Sequence, residues 1–134
     1  ISGVSDNIEA ISIVDRYLEH GRAYVFFNKG DPAYYIGSAD LMTRNIDYRV
    51  EVLCPVFDLE IKKTIQDILD QQWNDNVKAR RLDAGQRNIK VPTHGKALAI
   101  RSQESIHRYL TNGRLPRYPK SDMRSQKTRR RKVK

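Results

Sequence analysis

The sequence predicts an α/β domain whose strands pair mainly antiparallel, in a mixed sheet flanked by helices. Aromatic and β-branched runs at residues 23–28, 33–38 and 48–57 are separated by turn-forming segments, which indicates three consecutive strands. Apolar residues at helical spacing follow in 58–73, and a second helical pattern spans 102–110. Alternating strands and helices of this kind are typical of the α/β class.

The region before the first predicted strand has two interpretations. Ser12 can cap a short helix that runs to Glu19 and ends at Gly21, because the apolar residues between them share one face. Ile8 and Ile11 can instead belong to a brief strand. The local pattern leaves both interpretations open.

Local signals predict the following elements. The Lys-Gly-Asp-Pro sequence at 29–32 is a hairpin turn between the first two strands. Asp58 is the expected N-cap of the long helix, whose apolar stripe through Trp73 we expect to be core. Gly113 is expected to end the last helix. Between these helices we expect a short strand at 77–82, then a loop with strand character at 88–91.

Cysteine and histidine usage excludes several classes of site. The single cysteine, Cys54, allows no intrachain disulfide, fits a reducing compartment and is expected to be a buried small hydrophobe. No Cys/His cluster has metal-ligand spacing. We expect His94 in a loop and His107 on a helix surface. No apolar run is long enough to span a bilayer.

The positive charge belongs to one end of the chain. The formal net charge of the 134 residues is +9. Residues 114–134 hold ten Lys/Arg and one Asp, whereas 1–113 hold fifteen residues of each sign. We therefore predict a domain at 1–113 and a flexible basic tail at 114–134. The tail is either a polyanion-binding arm or a solvated terminus, and no specific nucleic-acid partner is indicated.

The candidate site lies in the polar loop of segment 35–49, with a histidine and an arginine upstream. Arginine donates bidentately to phosphate oxygens, and imidazole exchanges a proton or a phosphoryl group near neutral pH, so these residues indicate phosphate handling. Ordinary turn chemistry and a self-satisfied surface ion-pair cluster are the alternative. The candidates are His20, Arg22, Ser38, Asp40, Arg44, Asn45, Asp47 and Arg49.

Two stretches carry a resemblance to a known family. Residues 12–22 read Ser-Ile-Val-Asp-Arg-Tyr-Leu-Glu-His-Gly-Arg, and 37–51 read Gly-Ser-Ala-Asp-Leu-Met-Thr-Arg-Asn-Ile-Asp-Tyr-Arg-Val-Glu. With Asp-Asn-Val-Lys-Ala-Arg at 75–80, they closely resemble the C-terminal catalytic domain of bacterial polyphosphate kinase, over about residues 1–110. Leu41 departs from that pattern, which has an aromatic residue there.

The resemblance implies a phospholipase D-like fold and a phosphotransferase. Such enzymes transfer the terminal phosphate of ATP reversibly to inorganic polyphosphate through a phosphohistidine. That histidine belongs to a preceding domain, so we expect this chain to be inactive alone. The partners implied are ATP with Mg²⁺, ADP, polyphosphate and the preceding domains, in a homo-oligomeric enzyme. The implied location is the cytoplasm, with membrane-surface association as an addition.

The resemblance also assigns roles to the candidates. His20 is the catalytic residue and lies close to the phosphates of ATP, where Arg22, Arg44 and Arg49 supply charge. Neutral hydrogen bonds to phosphate come from Ser38 and Asn45, and no metal ligand is identified. Asp40 and Asp47 orient an arginine or the histidine, since carboxylate and phosphate repel each other.

Two other functions compete with this assignment. The first is a phosphodiesterase half-site of the phospholipase D type, which would be favoured by His-x-Lys where this chain has His20-x-Arg22. The second is a non-catalytic polyanion-binding module that uses the basic tail. Deleting the tail would abolish binding in that case, and changing His20 would not.

Overall fold

The computed structural model of the protein describes residues 8–91 and 98–115. The predicted tail beyond residue 115 and the loop position of His94 lie outside these ranges. The elements within them, in chain order, are β1 Ile11–Ile13, β2 Ala23–Phe26, β3 Ala33–Gly37, α1 Thr43–Ile46, β4 Leu53–Val56, α2 Leu59–Trp73, β5 Ala79–Arg81, β6 Ile89–Lys90 and α3 Ser102–Asn112.

Three consecutive strands form the first sheet, in the order β2-β3-β4, and every pairing is antiparallel. The predicted hairpin is confirmed, since Phe26 pairs with Ala33 across a turn in which Lys29 and Gly30 have positive φ angles of 57° and 102°. The third strand is shorter than predicted. It begins at Leu53 rather than at residue 48, because α1 and the turn after it occupy residues 43–49 and the Val52 N–H donates to the Ser38 side chain.

The second sheet has the order β1-β5-β6 and is also antiparallel. The helix predicted from Ser12 is therefore wrong. The alternative of a brief strand is correct for Ile11 but not for Ile8, which lies outside β1. Ile13 pairs with Ala79, so a partner distant in sequence overrides the local apolar pattern. Residues 14–22 have no regular secondary structure, and Gly21 ends no helix.

Both predicted long helices are confirmed. The Asp58 side chain caps α2 by accepting a hydrogen bond from the Ile61 N–H at 2.9 Å. Helix α3 ends at Gly113, whose φ of 66° is left-handed, and His107 lies exposed on its surface. The short helix α1 was not expected, because segment 35–49 was predicted to be strand, loop and strand.

Little apolar surface is buried within the described residues. The buried apolar residues there are Tyr34, Ala79, Ile100 and Ile106. The stripe on α2 is not fully core as predicted, since Ile61 and Trp73 are exposed. Cys54 is exposed as well, which contradicts its predicted burial, because β4 faces an open cleft.

Among the described residues, no helix has the length and apolar character needed to cross a membrane.

Candidate functional site

An open cleft of about 1110 Å³ lies between the first sheet and α2. Its polar wall comes from the segment before β2 and the loop after β3, and includes His20, Arg22, Ser38 and Asp40. Its opposite wall is apolar and consists of Ile36, Val52, Cys54, Ile65, Ile68 and Leu69. The sequence-predicted residues of the polar wall therefore share one concave surface.

Strand pairing brings the two polar segments together. Ala23 at the start of β2 pairs with Ile36 near the end of β3, so the residues before β2 lie beside those after β3. The Gly37 N–H donates to the Arg22 carbonyl at 3.0 Å and extends this pairing by one step. The pairing of β2 with β3 thus places Arg22 close to Asp40 in the loop after β3.

Arg22 connects Asp40 to His20. Its Nε donates to Asp40 Oδ1 at 2.7 Å, and its Nη1 donates to the His20 carbonyl at 3.1 Å. Its Nη2 lies 3.0 Å from Nε2 of the His20 ring. Its Nη1 also lies 3.4 Å from Nδ1 of the same ring. A guanidinium can only donate, so a ring nitrogen that accepts from it must carry no proton.

The ion pair shifts the titration of both partners. The hydrogen bond from Arg22 lowers the pKa of Asp40 below its ordinary value, against a smaller opposing effect of burial. The same contact raises the pKa of Arg22. Asp40 therefore stays ionised at neutral pH and holds the guanidinium beside the histidine.

Glu51 is a site residue that the sequence analysis did not identify. Its Oε2 accepts a hydrogen bond from Ser38 Oγ at 2.5 Å, and its Oε1 accepts one from Asn45 Nδ2 at 2.8 Å. The bond from Ser38 lowers the pKa of Glu51 most, and the bond from Asn45 is the next largest cause. The positive charges of Arg49 and Arg22 add to the effect. The signal in the sequence was a charged residue interrupting the apolar pattern of the third predicted strand.

Asn45 is placed differently from its predicted role. It is 3% exposed, its amide nitrogen is directed to Glu51, and its Oδ1 is buried without a hydrogen-bond partner among the described residues. Ser38 uses its single proton on Glu51 and accepts from the Val52 N–H at 3.2 Å. Both residues tie their segments to the residues just before β4, and their contacts to phosphate stay predictions.

Gly37 allows the loop to lie this close to β4. A Cβ at this position would lie 2.7 Å from the Val52 carbonyl oxygen and 2.8 Å from the Leu53 side chain. The Tyr24 hydroxyl also fixes the loop, by donating to the Ala39 carbonyl at 2.6 Å. Any larger residue at Gly37 would push the polar wall away from the sheet.

The remaining candidates are not among the described residues that line the cleft. Three candidates are exposed: Arg44 on α1, and Asp47 and Arg49 after it. None of these side chains makes a hydrogen bond within the described ranges. Their influence is electrostatic: the charge of Arg44 contributes to the lowered pKa of Asp40, and that of Arg49 to the lowered pKa of Glu51. The orienting role of Asp47 stays a prediction.

The described part of the chain contains no group of three His, Cys, Asp or Glu side chains that could hold a metal ion. Fold and site together define an α/β domain that presents a histidine and a carboxylate-held guanidinium at an open cleft, with exposed arginines between β3 and β4.

The comparisons with known proteins identify the family. The family model described as "Polyphosphate kinase C-terminal domain 2" matches residues 1–115, so the chain belongs to the polyphosphate kinase family, as its motifs predicted. It is 51% identical over 110 residues to a polyphosphate kinase of Escherichia coli (strain K12). It is 53% identical over 112 residues to one of Vibrio vulnificus (strain YJ016).

A solved structure agrees with this placement. The crystal structure of polyphosphate kinase from Porphyromonas gingivalis superposes with a TM-score of 0.77 at 41% identity, over 81% of this chain and 16% of that one. The alignments to the Escherichia coli and Vibrio vulnificus relatives cover 82% and 84% of this chain, and 16% of each relative. The chain therefore corresponds to about a sixth of the proteins it matches.

Proposed function

We propose that this chain acts within an enzyme that transfers the terminal phosphate of ATP reversibly to inorganic polyphosphate. Its family membership and the names of its relatives support this substrate pair. The observation that carries the proposal is the placement of His20 and Arg22 together on the wall of an open cleft. The match covers 16% of each relative, and we propose that the full reaction also uses other parts of such an enzyme.

Phosphoryl transfer depends mainly on the position of the groups and on stabilisation of charge on the phosphoryl oxygens. Arg22 is suited to this task because Asp40 fixes one edge of its guanidinium and leaves the Nη groups directed toward His20. The exposed Arg44 and Arg49 add positive potential, which acts on Asp40 and Glu51 respectively. These charges would attract and hold a chain of phosphates.

His20 is proposed as the catalytic residue of this half of the site. In the phosphohistidine mechanism implied by the family, the nucleophilic histidine belongs to a preceding domain, and His20 faces it across the transferred group. A doubly protonated His20 ring would lose its hydrogen bond from Arg22 Nη2, because neither ring nitrogen could then accept one, while the bond from Nη1 to the His20 carbonyl would remain. The released Arg22 Nη2 could then donate to a phosphate oxygen while the imidazole protonates the leaving oxygen.

The proposed contacts of Ser38 and Asn45 with phosphate compete with hydrogen bonds that these side chains already make. Each side chain donates to Glu51, so a phosphate contact from Ser38 would require it to give up that bond. Their alternative role is to hold Glu51 and the loop that carries Asp40. Direct binding is expected to come chiefly from His20 and the arginines.

Mg²⁺ enters this proposal as part of the ATP substrate. The described residues offer no cluster of ligands for it. We therefore assign no metal ligand in this chain and derive no step through the ion. The cytoplasmic location, the membrane-surface association and the homo-oligomer remain predictions from the family resemblance.

The test is substitution of His20 in the full-length polyphosphate kinase that contains this chain. We expect His20→Ala to abolish polyphosphate synthesis from ATP with the melting temperature retained. His107→Ala is the matched control, because His107 is exposed on α3 and we expect normal synthesis. Near-normal turnover of His20→Ala would contradict the proposal, and unchanged binding of polyphosphate would then favour the non-catalytic module.

The isolated chain provides a second test. We expect it to make no polyphosphate from ATP, because the nucleophilic histidine is proposed to lie elsewhere in the enzyme. Acid-stable chains or a stable phosphohistidine on His20 of the isolated chain would contradict this.

A further inference from the structure

We propose that Gln103 is a positioning residue for His20. Its carboxamide, on α3, hydrogen-bonds both backbone groups of Tyr17 and thereby fixes the segment that carries His20 to the cleft. This inference rests on the proposed role of His20 in phosphoryl transfer. It assigns to α3, which contributes no residue to the polar wall, a part in the reaction.

The segment at 14–22 needs support from outside itself. It joins β1 to β2 without regular secondary structure, so neither a helix nor a strand ladder orders its backbone. At its C-terminal end the Arg22 carbonyl accepts from the Gly37 N–H. His20 lies two residues before that point, and its position depends on how the preceding residues are held.

Gln103 supplies a hydrogen-bond pair of the kind that a neighbouring strand would supply. The Tyr17 N–H donates to Gln103 Oε1 at 3.0 Å, and Gln103 Nε2 donates to the Tyr17 carbonyl at 2.7 Å. A carboxamide has the donor and acceptor of a peptide group, so it satisfies both backbone groups of one residue. This pair fixes the position and orientation of the Tyr17 backbone relative to α3.

Two further contacts hold alternate residues of the same segment. Asp15, whose side chain is 1% exposed, accepts from Arg101 Nη2 at 2.6 Å and from its Nε at 2.8 Å. Glu19 Oε2 accepts from Gln72 Nε2, on α2, at 3.2 Å. Positions 15, 17 and 19 are thus bound to the N-cap residue of α3, to α3 itself and to α2. His20 is the next residue along the chain.

A held histidine matters because phosphoryl transfer is sensitive to geometry. A displacement of about 1 Å in a catalytic group can cost on the order of 100-fold in rate. Gln103 is the most informative of the three contacts to test. Removing Asp15 or Arg101 would leave a charge without its partner and endanger the fold, whereas Gln103 is neutral and partly exposed.

The experiment compares Gln103→Met with Gln66→Met in the full-length enzyme. Both substitutions keep the length of the side chain and remove two hydrogen bonds, which for Gln103 are the pair with Tyr17. Gln66 accepts from the Tyr34 hydroxyl at 2.8 Å, donates to Asp70 Oδ1 at 2.7 Å and makes no hydrogen bond to residues 14–22 within the described ranges. The measurements are kcat, KM for ATP, the melting temperature, and hydrogen exchange of the amides at 14–22.

We expect the two variants to melt at similar temperatures. Gln103→Met should lower kcat at least about tenfold and speed exchange at 14–22, whereas Gln66→Met should keep kcat within about twofold of wild type. Gln103→Glu keeps the acceptor for the Tyr17 N–H and loses the donor to its carbonyl. Its kcat should fall between those of wild type and Gln103→Met.

The inference fails if Gln103→Met and Gln66→Met have equal kcat while His20→Ala abolishes synthesis, and the proposed function then stands. It also fails if Gln103→Met speeds exchange throughout the domain and lowers its melting temperature well below that of Gln66→Met. Wild-type turnover by Gln103→Glu would show that the bond from Gln103 Nε2 to the Tyr17 carbonyl is not needed. Turnover by His20→Ala would overturn the proposed function itself.

Discussion

Asp75 Oδ2 accepts a hydrogen bond from the backbone N–H of Ser102 at 2.7 Å, 27 positions further along the chain. The other oxygen, Oδ1, accepts from the backbone N–H groups of Val77, Lys78 and Ala79 at 3.0, 2.6 and 3.1 Å. Asp75 is fully buried, and four donors compensate its loss of hydration. The Asp75 side chain therefore holds the backbone that leads into β5 and accepts from the first backbone N–H of α3.

Asp75→Ala should destabilise the domain by about 3 kcal/mol or more, because four N–H groups lose a charged acceptor in a buried place. Asp58→Ala is the comparison, since it removes one exposed cap of α2 and should cost about 1 kcal/mol. Urea denaturation of both variants measures the difference. Equal losses would show that solvent or neighbouring groups replace Asp75.

Acid should weaken the fold through three carboxyl groups. The hydrogen bond from Arg101 lowers the pKa of Asp15, and the hydrogen bond from Arg22 lowers the pKa of Asp40. Hydrogen bonds from Ser38 and, next in size, Asn45 lower the pKa of Glu51. These groups bind protons more weakly in the folded chain than in the unfolded one. Their contribution to stability is complete above the ordinary values of 3.8 and 4.5 and is lost as the pH falls through the lower folded values.

Asp15→Asn tests this acid dependence. The variant should be less stable than wild type near neutral pH, and the two melting temperatures should converge as the pH falls below about 4, because protonation abolishes the contribution in wild type. Thermal unfolding across this range makes the measurement. Parallel curves for the two proteins would show that Asp15 makes no pH-dependent contribution.

Arg22→Lys should reduce polyphosphate synthesis more than Arg44→Lys or Arg49→Lys. The Arg22 guanidinium donates at once to Asp40 and to two sites on His20, and an ammonium group cannot reproduce that planar geometry. We expect kcat to fall at least about tenfold for Arg22→Lys and less for the two exposed arginines. Similar kcat values for all three variants would indicate that charge alone matters.

Glu51→Gln should impair activity more than Asp47→Asn. The change at Glu51 replaces an acceptor by an amide nitrogen that faces the donors of Ser38 or Asn45, so the loop that carries Asp40 should loosen. Asp47 is exposed and makes no such contact within the described residues. Steady-state kinetics of the two variants decide the order. A larger loss for Asp47→Asn would support its sequence-predicted orienting role.

Removal of residues 114–134 should weaken binding of polyphosphate at low salt and leave the melting temperature nearly unchanged. The tail carries the whole excess of positive charge, and release of counterions makes such binding depend steeply on salt. Binding measured at several salt concentrations, with thermal unfolding, tests both parts. A fall of many degrees in melting temperature would show that the tail is packed against the domain.

Elements with local causes were predictable from the sequence. The Asp58 cap and the apolar period that follows it specify α2 within one stretch of chain, and Gly113 ends α3 because glycine accepts a left-handed backbone. The turn after β2 specifies its hairpin with β3. The two motifs around His20 and Arg49 identified the family, since residue order is itself the signal there.

Tertiary structure decided what depends on partners far apart in the chain. Residues 11–13 form a strand because β5 lies beside them, although their own pattern also suits a helix. The bond between Gln103 and Tyr17 joins positions 86 residues apart, as does the pair of Arg101 and Asp15. Such contacts leave no periodic trace in the sequence, because a polar side chain looks the same whether it faces solvent or a distant backbone group.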